Sequence, residues 1–242
     1  MEKNQSLHAF IKEELLNRIK SKKYKSGDQI PTELELCQDF EVSRTTVRTA
    51  LNQLTMEGYL VRHQGKGTYV ADSKVSQTLS HTVKRYSDQV ATQGKKADII
   101  LIDITVIPAN EFLQESLEVA INAPIQRIER VRKANDEPTQ YEIAYIPWDV
   151  APGITKTHAE TSLYTSLKND FDIHIAKTTE HVEITLADER SCKYLQCEPD
   201  LPCFYIETIA EDRTGRKVEY SRSYFRGDKT NFIIERNYPI EE

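Results

Sequence analysis

The sequence has little of what a membrane-spanning or disulfide-stapled protein requires. A helix that crosses a bilayer needs roughly 18 apolar residues or more, whereas an apolar stretch such as residues 99–102 has only the length of a strand. No charged-then-apolar signal pattern opens the chain, so we expect a cytoplasmic protein with no membrane partner. Four cysteines in 242 residues are too few for a disulfide framework.

Motifs of metal sites and catalytic sites are also missing. Cys192, Cys197 and Cys203 are close in sequence, but no Cys-x-x-Cys or His-x-x-x-His pair accompanies them, which favours half-buried thiols over a zinc site. The six histidines are scattered, and there is no Gly-x-Ser-x-Gly elbow, phosphate loop or dinucleotide-binding glycine motif. We therefore expect no metal ion, no cofactor and no enzymatic activity.

Charge is distributed unevenly along the chain, whose net charge is −6. Residues 1–70 contain 11 Lys and Arg against 9 Asp and Glu, whereas residues 71–242 contain 21 against 29. The first part is therefore mildly basic and the second clearly acidic. This asymmetry is typical of a small module that contacts DNA, joined to a body that does not.

Residues 1–71 have the pattern of three helices followed by a basic hairpin. Apolar residues recur at helical spacing, and Ser43 and Gly58 are suited to begin and end the third helix. The expected elements are helices over residues 7–19, 31–40 and 44–57 and strands over residues 59–61 and 68–70. This order predicts a winged helix-turn-helix domain.

The third predicted helix carries residues suited to reading base edges in the major groove. These candidate residues are Ser43, Arg44, Thr45, Thr46 and Arg48. Thr32 stands at a helix N-terminus, where free N–H groups attract a phosphate, and Lys66 and Gly67 stand at the tip of the hairpin. Alternatively, Arg44 and Arg48, which share one helix face, merely solvate that face.

The order of motifs in this domain resembles the N-terminal domain of the GntR family of bacterial regulators over residues 6–71. The motifs are Pro-Thr-Glu-x-x-Leu, Val-Ser-Arg-Thr-Thr-Val-Arg-x-Ala-Leu and Gly-Lys-Gly-Thr-Tyr-Val. The resemblance implies that the third helix binds operator DNA and that the wing tip approaches the minor groove. Leu34 stands where many members have arginine, which points to a different operator preference.

Residues 72–80 are polar and are expected to form a linker, beyond which residues 81–242 have an α+β pattern. The expected strands cover residues 99–107, 125–133, 140–145, 179–186, 202–210 and 216–224, and the expected helices cover 83–93, 111–117, 162–170 and 188–195. Turn residues at 134–138 and 211–215 predict hairpins. The pattern therefore predicts an antiparallel sheet with helices.

This second region resembles the UTRA effector domain, which marks the HutC branch of the GntR family. The matching segments are residues 128–138, 141–142, 146–147, 162–164 and 219–228. The resemblance implies the chorismate lyase-like fold used as an effector-binding and dimerisation domain. A lyase that retained catalysis is an alternative, but a shared fold does not establish a shared activity.

Several polar residues of this region are suited to an anionic effector. Arg130 and Arg132 alternate along a predicted strand and so share one face, and Ser162 and Tyr164 begin a predicted helix. Arginine binds phosphate through paired hydrogen bonds. By resemblance to members that respond to sugar phosphates, these four residues would hold a phosphate. By the same resemblance, the residues for hydroxyl or amine groups would be Glu142, Glu219, Tyr224 and Asp228.

Each of these assignments has a simpler alternative. Arg130 and Arg132 could pair with Glu129 or Glu142 on a solvated face, Tyr164 could lie in the core, and Asp228 could cap a turn. Two departures from the family also bear on the ligand. Lys84 and Arg85 precede Tyr86 where some members have a small hydroxyl residue, which favours a more anionic ligand, and Phe225 replaces a common tyrosine.

Together these features predict a homodimer that binds an inverted-repeat operator and represses transcription until a small anionic metabolite binds. Activation instead of repression is left open, as is a dimeric DNA-binding protein that needs no ligand. Amino sugar phosphates, other sugar phosphates and organic acids all remain possible effectors.

Overall fold

The computed structural model describes residues 6–63, 65–71, 74–79 and 86–234, which form two compact units. The first unit contains the residues up to Lys74 together with Gly227–Lys229. The second unit contains Val75–Arg226 and the residues from Thr230 onward. No helix of the described residues has the length and apolar character that a bilayer crossing requires.

The first unit has the predicted order of three helices and a hairpin. Its elements are α1 (Leu7–Lys20), α2 (Glu33–Phe40), α3 (Arg44–Met56), β1 (Leu60–His63) and β2 (Gly67–Val70). The two strands pair antiparallel. Apolar side chains from all five elements, among them Leu15, Leu36, Leu51, Leu60 and Val70, pack into one core. The expectation of a winged helix-turn-helix is confirmed.

Local hydrogen bonds explain where the second and third helices begin. Thr32 and Glu35 form a reciprocal capping box: the Thr32 hydroxyl accepts from the Glu35 amide, and the Glu35 carboxylate accepts from the Thr32 amide at 2.7 Å. At the start of α3, the Ser43 hydroxyl accepts from the Thr46 amide at 3.3 Å. Gly58 follows α3 with a φ of +76°, a conformation that glycine adopts without strain.

The second unit is built on a six-stranded antiparallel sheet in the order β4-β5-β6-β9-β8-β7. Its strands are β3 (Val75–Leu79), β4 (Ala97–Pro108), β5 (Pro124–Ala134), β6 (Glu137–Pro147), β7 (Ile175–Leu186), β8 (Pro202–Asp212), β9 (Lys217–Arg226) and β10 (Thr230–Ile234). Its helices are α4 (Tyr86–Ala91), α5 (Glu111–Leu117), α6 (Lys156–Glu160), α7 (Leu163–Asp170) and α8 (Glu189–Leu195). The predicted α+β class with an antiparallel sheet is confirmed.

The sheet separates two apolar cores. Leu113 and Leu117 of α5 and Leu195 of α8 pack with one set of sheet residues. Ala159 of α6 and Leu167 of α7 pack with the other set. Because side chains alternate along each strand, neighbouring residues of β5, β6 and β9 contribute to different faces of the sheet.

Two features differ from the sequence-based expectation. The predicted linker over residues 72–80 contains β3, which pairs in parallel with β10, a strand that was not expected. This pairing joins segments about 150 residues apart, and the polar stretch around Ser76 and Gln77 has no apolar alternation to reveal it. The short helix α6 was also not expected.

Candidate functional site

The N-terminal turns of α3 present both exposed and structural side chains. Arg44, Thr45 and Arg48 are exposed. By contrast, the hydroxyls of Ser43 and Thr46 lie 2.8 Å apart, and Ser43 also caps the helix. Of the five candidates for base contacts, three are therefore available at the surface, whereas Ser43 and Thr46 are engaged with each other.

The Glu33 carboxylate forms ion pairs with two arginines near this helix, Arg48 and Arg62. It accepts from Arg48 Nη2 at 3.0 Å and lies 3.6 Å from Arg62 Nη2 on β1. The hydrogen bond from Arg48 lowers the pKa of Glu33 below its ordinary value, and the charges of Arg48, Arg62 and Arg44 act in the same direction. One carboxylate from α2 thus faces cations from both the recognition helix and the wing.

The wing tip is exposed at Lys66 and Gly67, as a DNA-contacting loop requires. Gln29 Nε2 and the Tyr69 hydroxyl both donate to the Lys66 carbonyl at 3.1 Å, which fixes the tip. Gly67 has a φ of +116° and lies against the Gln29 amide, so a side chain here would collide with it. Thr32, the predicted phosphate-binding residue, uses its side chain in the capping box.

The second unit contains a polar cavity of about 1120 Å³ on the α7 side of the sheet. It is lined by strands β5, β6, β8 and β9, by the start of α7, and by residues of β3 and β10. Six of the predicted effector residues line it: Arg130, Arg132, Glu142, Ser162, Tyr164 and Glu219. Residues that are up to 89 positions apart in sequence therefore meet in one cavity.

Two arginines share one carboxylate at the cavity wall. Arg130 forms an ion pair with Glu142 and donates to the Ala159 carbonyl at 3.0 Å, while Arg132 Nη2 lies 3.1 Å from Glu142 Oε1. Burial raises the pKa of Glu142, but the two arginines outweigh this effect and hold it below its ordinary value. The pairing with Glu142 is thus observed, on a buried wall rather than a solvated face, and Glu142 alone compensates only one of the two positive charges.

A second carboxyl group in the cavity, that of Glu219, has a pKa above its ordinary value. Burial, followed by the nearby charge of Glu142, raises the pKa of Glu219 to about 7, although a hydrogen bond with Tyr164 opposes the shift. Its Oε2 atom has no hydrogen-bond partner among the described residues. Glu219 is therefore suited to accept a hydrogen bond from a ligand or, when protonated, to donate one.

The start of α7 supplies backbone donors to the same cavity. Ser162 is the N-terminal cap residue, but its side chain accepts no hydrogen bond from the helix amides. Residues 161–165 all line the cavity. Because the first amides of a helix lack intrahelical partners and carry partial positive charge, this segment complements Arg130 and Arg132 as an anion-binding surface.

Two predicted effector residues lie elsewhere. Tyr224 is on the opposite face of β9 from Ser223, where its ring packs 5.0 Å from that of Tyr205. Asp228 belongs to the first unit, where its backbone carbonyl lies beside Gly58. Neither residue lines the cavity, so the structure does not support these two assignments. Lys84 and Arg85 lie outside the described residues.

Sequence reasoning missed other polar residues of the cavity. These are Gln77, Ser87, Gln89, Gln140, Thr161, Thr165, Lys168, Asn169, His174, Lys177, Thr178, Glu180, Thr208, Arg213, Ser221 and Ser223. Strand alternation from Glu142 and Glu219 could have identified Gln140, Ser221 and Ser223. No local pattern marks Gln77 or Arg213, which reach the cavity only through the tertiary fold. Among the described residues, no group of His, Cys, Asp and Glu is arranged to hold a metal ion.

A winged helix-turn-helix combined with a separate sheet domain that encloses a charged cavity defines a DNA-binding transcription regulator. Residues 7–70 match the bacterial regulatory proteins of the gntR family, and residues 92–231 match the UTRA domain. The chain belongs to the GntR family of bacterial regulators and carries a UTRA domain.

Similar proteins are named as repressors. A probable fructoselysine utilization operon transcriptional repressor of Shigella flexneri is 32% identical over 96% of this chain and 95% of its own length. The repressor NagR of Bacillus subtilis is 30% identical over 92% of this chain and 91% of its own. The crystal structure of PhnF from Mycobacterium smegmatis superposes with a TM-score of 0.68 at 29% identity, covering 95% of this chain and all of that one. These matches confirm the expectation of a DNA-binding regulator rather than an enzyme.

Proposed function

We propose that this chain represses a metabolic operon and releases its operator when a small anionic effector, such as a sugar phosphate, binds to the second unit. The similar proteins named above support repression, since they are transcriptional repressors and align over nearly the whole chain. In this proposal residues 1–71 bind DNA, and the unit that begins at Val75 binds the effector.

The observation that carries the effector proposal is the pairing of two arginines with one carboxylate at the wall of the cavity. Glu142 neutralises only one of the charges of Arg130 and Arg132, and Glu219, whose pKa is raised to about 7, is only partly ionised at neutral pH. The partly buried guanidinium groups beside open helix amides favour an anion. Ser162 and Tyr164 would add hydroxyl contacts to a phosphate, and Glu142 and Glu219 would accept from hydroxyl or amine groups.

For DNA binding, the proposal assigns base contacts to Arg44, Thr45 and Arg48 and backbone contacts to Lys66 and Gly67. A recognition helix reads base edges from its N-terminal residues, and Lys66 would neutralise a phosphate. One such head makes few contacts, so we propose a homodimer whose two helices lie about 34 Å apart on an inverted repeat.

The proposed effector acts by favouring an arrangement of the dimer that fits the operator less well. A coupling free energy of about 1–3 kcal/mol would weaken operator binding roughly 5–150-fold. Such coupling requires only that the effector binds the two arrangements with different affinities.

The test is a titration of phosphorylated sugars into a complex of the protein with a fluorescent duplex selected from a random pool. Fluorescence anisotropy should fall as an active effector releases the DNA. Arg132→Ala should bind the duplex normally but fail to respond, whereas Arg48→Ala should lose selective binding and still bind the effector in calorimetry.

The same titration separates this proposal from a ligand-independent dimeric DNA-binding protein. If no phosphorylated sugar or organic acid changes anisotropy, and none shifts the melting temperature of the free protein, the second unit serves dimerisation only. If Arg132→Ala responds like the wild type, the phosphate site is assigned incorrectly.

A further inference from the structure

We infer that the effector is an elongated metabolite with an anionic group at each end, and that Lys168 and Arg213 bind the second group. The inference rests on the proposed function, because it places the first anionic group at Arg130 and Arg132. It concerns the opposite part of the same cavity, which the sequence patterns did not mark.

The charges that line the cavity are divided into two sets. Five cationic side chains line it: Arg130, Arg132, Lys168, Lys177 and Arg213. Three acidic side chains line it: Glu142, Glu180 and Glu219. Arg130 and Arg132 form ion pairs with Glu142. The other three cations, which we call the distal group, lie on α7, on β7 and in the turn after β8. Glu180 and Glu219 pair in register with Thr208 and Ala210, between the rows of Arg130 and of Arg213.

Two members of the distal group are not neutralised within the described part of the chain. Lys177 Nζ lies 3.1 Å from Glu211 Oε1 and is therefore paired. Lys168 on α7 and Arg213, in the turn after β8, form no ion pair with any described residue. Both side chains are exposed and line the cavity, so their charges are accessible to an anionic group of a ligand that enters it.

The register of the sheet separates the distal group from the first site. In the sheet register, Arg130 of β5 lies opposite Glu142 of β6. The same row continues through Ser223 of β9 to Ile206 of β8. From Ile206 to the end of β8 at Asp212 is six residues, or roughly 20 Å of strand. Arg213 follows at once, so its backbone lies far from Arg130 along the strand direction, although both side chains reach the cavity.

The register of β7 and the length of α7 place the other two members. Lys177 pairs with Glu211, at the same end of the sheet as Arg213. Lys168 is five residues beyond Leu163, about 7.5 Å along the helix from the N-terminal amides proposed to hold the first anion. The backbone of Arg213 is therefore too far from that of Arg130 for one phosphate to bind both arginines, and Lys168 lies about 7.5 Å beyond the first amides of α7.

The size of the cavity is consistent with a ligand longer than a single phosphate. Its volume of about 1120 Å³ exceeds the range of roughly 300–1,000 Å³ that is usual for small-molecule sites. In the sheet register, Ser221 pairs with Thr208, two residues from the row of Arg130 in the direction of Arg213. Both residues line the cavity and offer hydrogen bonds to hydroxyl groups. A polyhydroxylated chain with charged ends suits a polar row between two groups of cations.

The test compares two ligands that differ only in the second charged group. Isothermal titration calorimetry would measure the affinities of the full-length protein for fructose 6-phosphate and fructose 1,6-bisphosphate. The wild type should prefer the bisphosphate about tenfold or more, because a second charge-assisted hydrogen bond forms. The double variant Lys168→Gln/Arg213→Gln should lose that preference and retain its affinity for the monophosphate.

Two controls separate a local site from a general effect of charge. Lys193→Gln removes an exposed lysine of α8 that does not line the cavity, and it should keep the full preference. Melting temperatures of all variants should match that of the wild type, because Lys168 and Arg213 are exposed.

Two outcomes overturn the inference: equal affinities of the wild type for both sugars, or a preference that survives in the double variant. If the monophosphate binds and requires Arg132, such a result leaves the proposed function intact. If neither sugar phosphate nor inorganic phosphate binds the wild type, the anion site of the proposed function fails together with this inference.

Discussion

Glu33 Oε2 lies 3.0 Å from Arg48 Nη2, so a carboxylate of α2 holds an arginine that α3 exposes at the surface. The Arg48 Nε atom is 3.4 Å from the other oxygen of the same carboxylate, which makes the contact two-pronged. A guanidinium held by one edge keeps its remaining N–H donors in a defined direction. If Arg48 contacts a base, as proposed above, this contact orients the arginine before DNA binds.

The first prediction concerns this contact. Glu33→Gln keeps the size of the side chain but removes the charge that holds Arg48. Discrimination between a selected duplex and a scrambled one should fall about fivefold to tenfold, within the range of one two-pronged base contact. Non-selective affinity should be unchanged or slightly higher, since a negative charge near the phosphates is lost.

Anisotropy titrations with both duplexes at several salt concentrations would measure the effect of Glu33→Gln. Glu13→Gln, an exposed change on α1, is the matched control. An unchanged ratio of the two affinities would mean that Arg48 does not depend on Glu33 for its orientation.

The second prediction separates the two arginines of the cavity wall. Arg130 is 1% exposed and binds both Glu142 and the Ala159 carbonyl, whereas the Arg132 side chain is 20% exposed. Arg130→Ala should lower the free energy of unfolding by about 3–5 kcal/mol, because it leaves a buried carboxylate with less compensation. Arg132→Ala should cost roughly 1 kcal/mol. Urea unfolding followed by circular dichroism would measure both, and equal losses would contradict the distinction.

The third prediction concerns the pH dependence of stability. The pKa of Glu219 is raised to about 7 in the folded protein, compared with about 4.3 for an ordinary glutamate. Between these values the folded state binds the proton more tightly, so the contribution of Glu219 to stability should fall as pH rises from 5 to 8. The change is on the order of 3 kcal/mol over the full window.

Thermal or urea unfolding across this pH range, compared with Glu219→Gln, would reveal the contribution of Glu219. The variant should show a flatter profile, because glutamine does not titrate. If the free energies of unfolding of the wild type and the variant changed in parallel between pH 5 and pH 8, Glu219 would have an ordinary pKa and the prediction would be wrong.

The DNA-binding unit could be predicted almost completely because its signals are local. The capping pair of Thr32 and Glu35, the cap at Ser43 and the glycine after α3 are each decided within a few residues. The same holds for the hairpin turn at residues 134–138, where Asn135 and Asp136 adopt positive φ. In such segments the neighbours in sequence are also the neighbours in space.

The cavity proposed to bind the effector could be predicted only in part. Alternation placed Arg130 and Arg132 on one face correctly, and the same rule separates Glu219 from Tyr224, whose positions differ by an odd number. Applied to β9, it would have removed Tyr224 from the candidates. The contributions of Gln77, Phe232 and Arg213 depend on strand pairing and turns that bring distant segments together, and no short window of sequence contains that information.

The parallel pairing of β3 with β10 has a practical consequence for dissecting or recombining the protein. The two strands lie near the opposite ends of the second unit's sequence and pair with each other. Phe232 and Ile234 of β10 also line the cavity. A fragment that begins at residue 81 would lack β3. The edge of β10 that pairs with β3 would then expose unpaired backbone N–H and C=O groups, which favour aggregation. A chimaera that joins another DNA-binding domain to the second unit should therefore be spliced before Val75 and should keep the residues through Ile234.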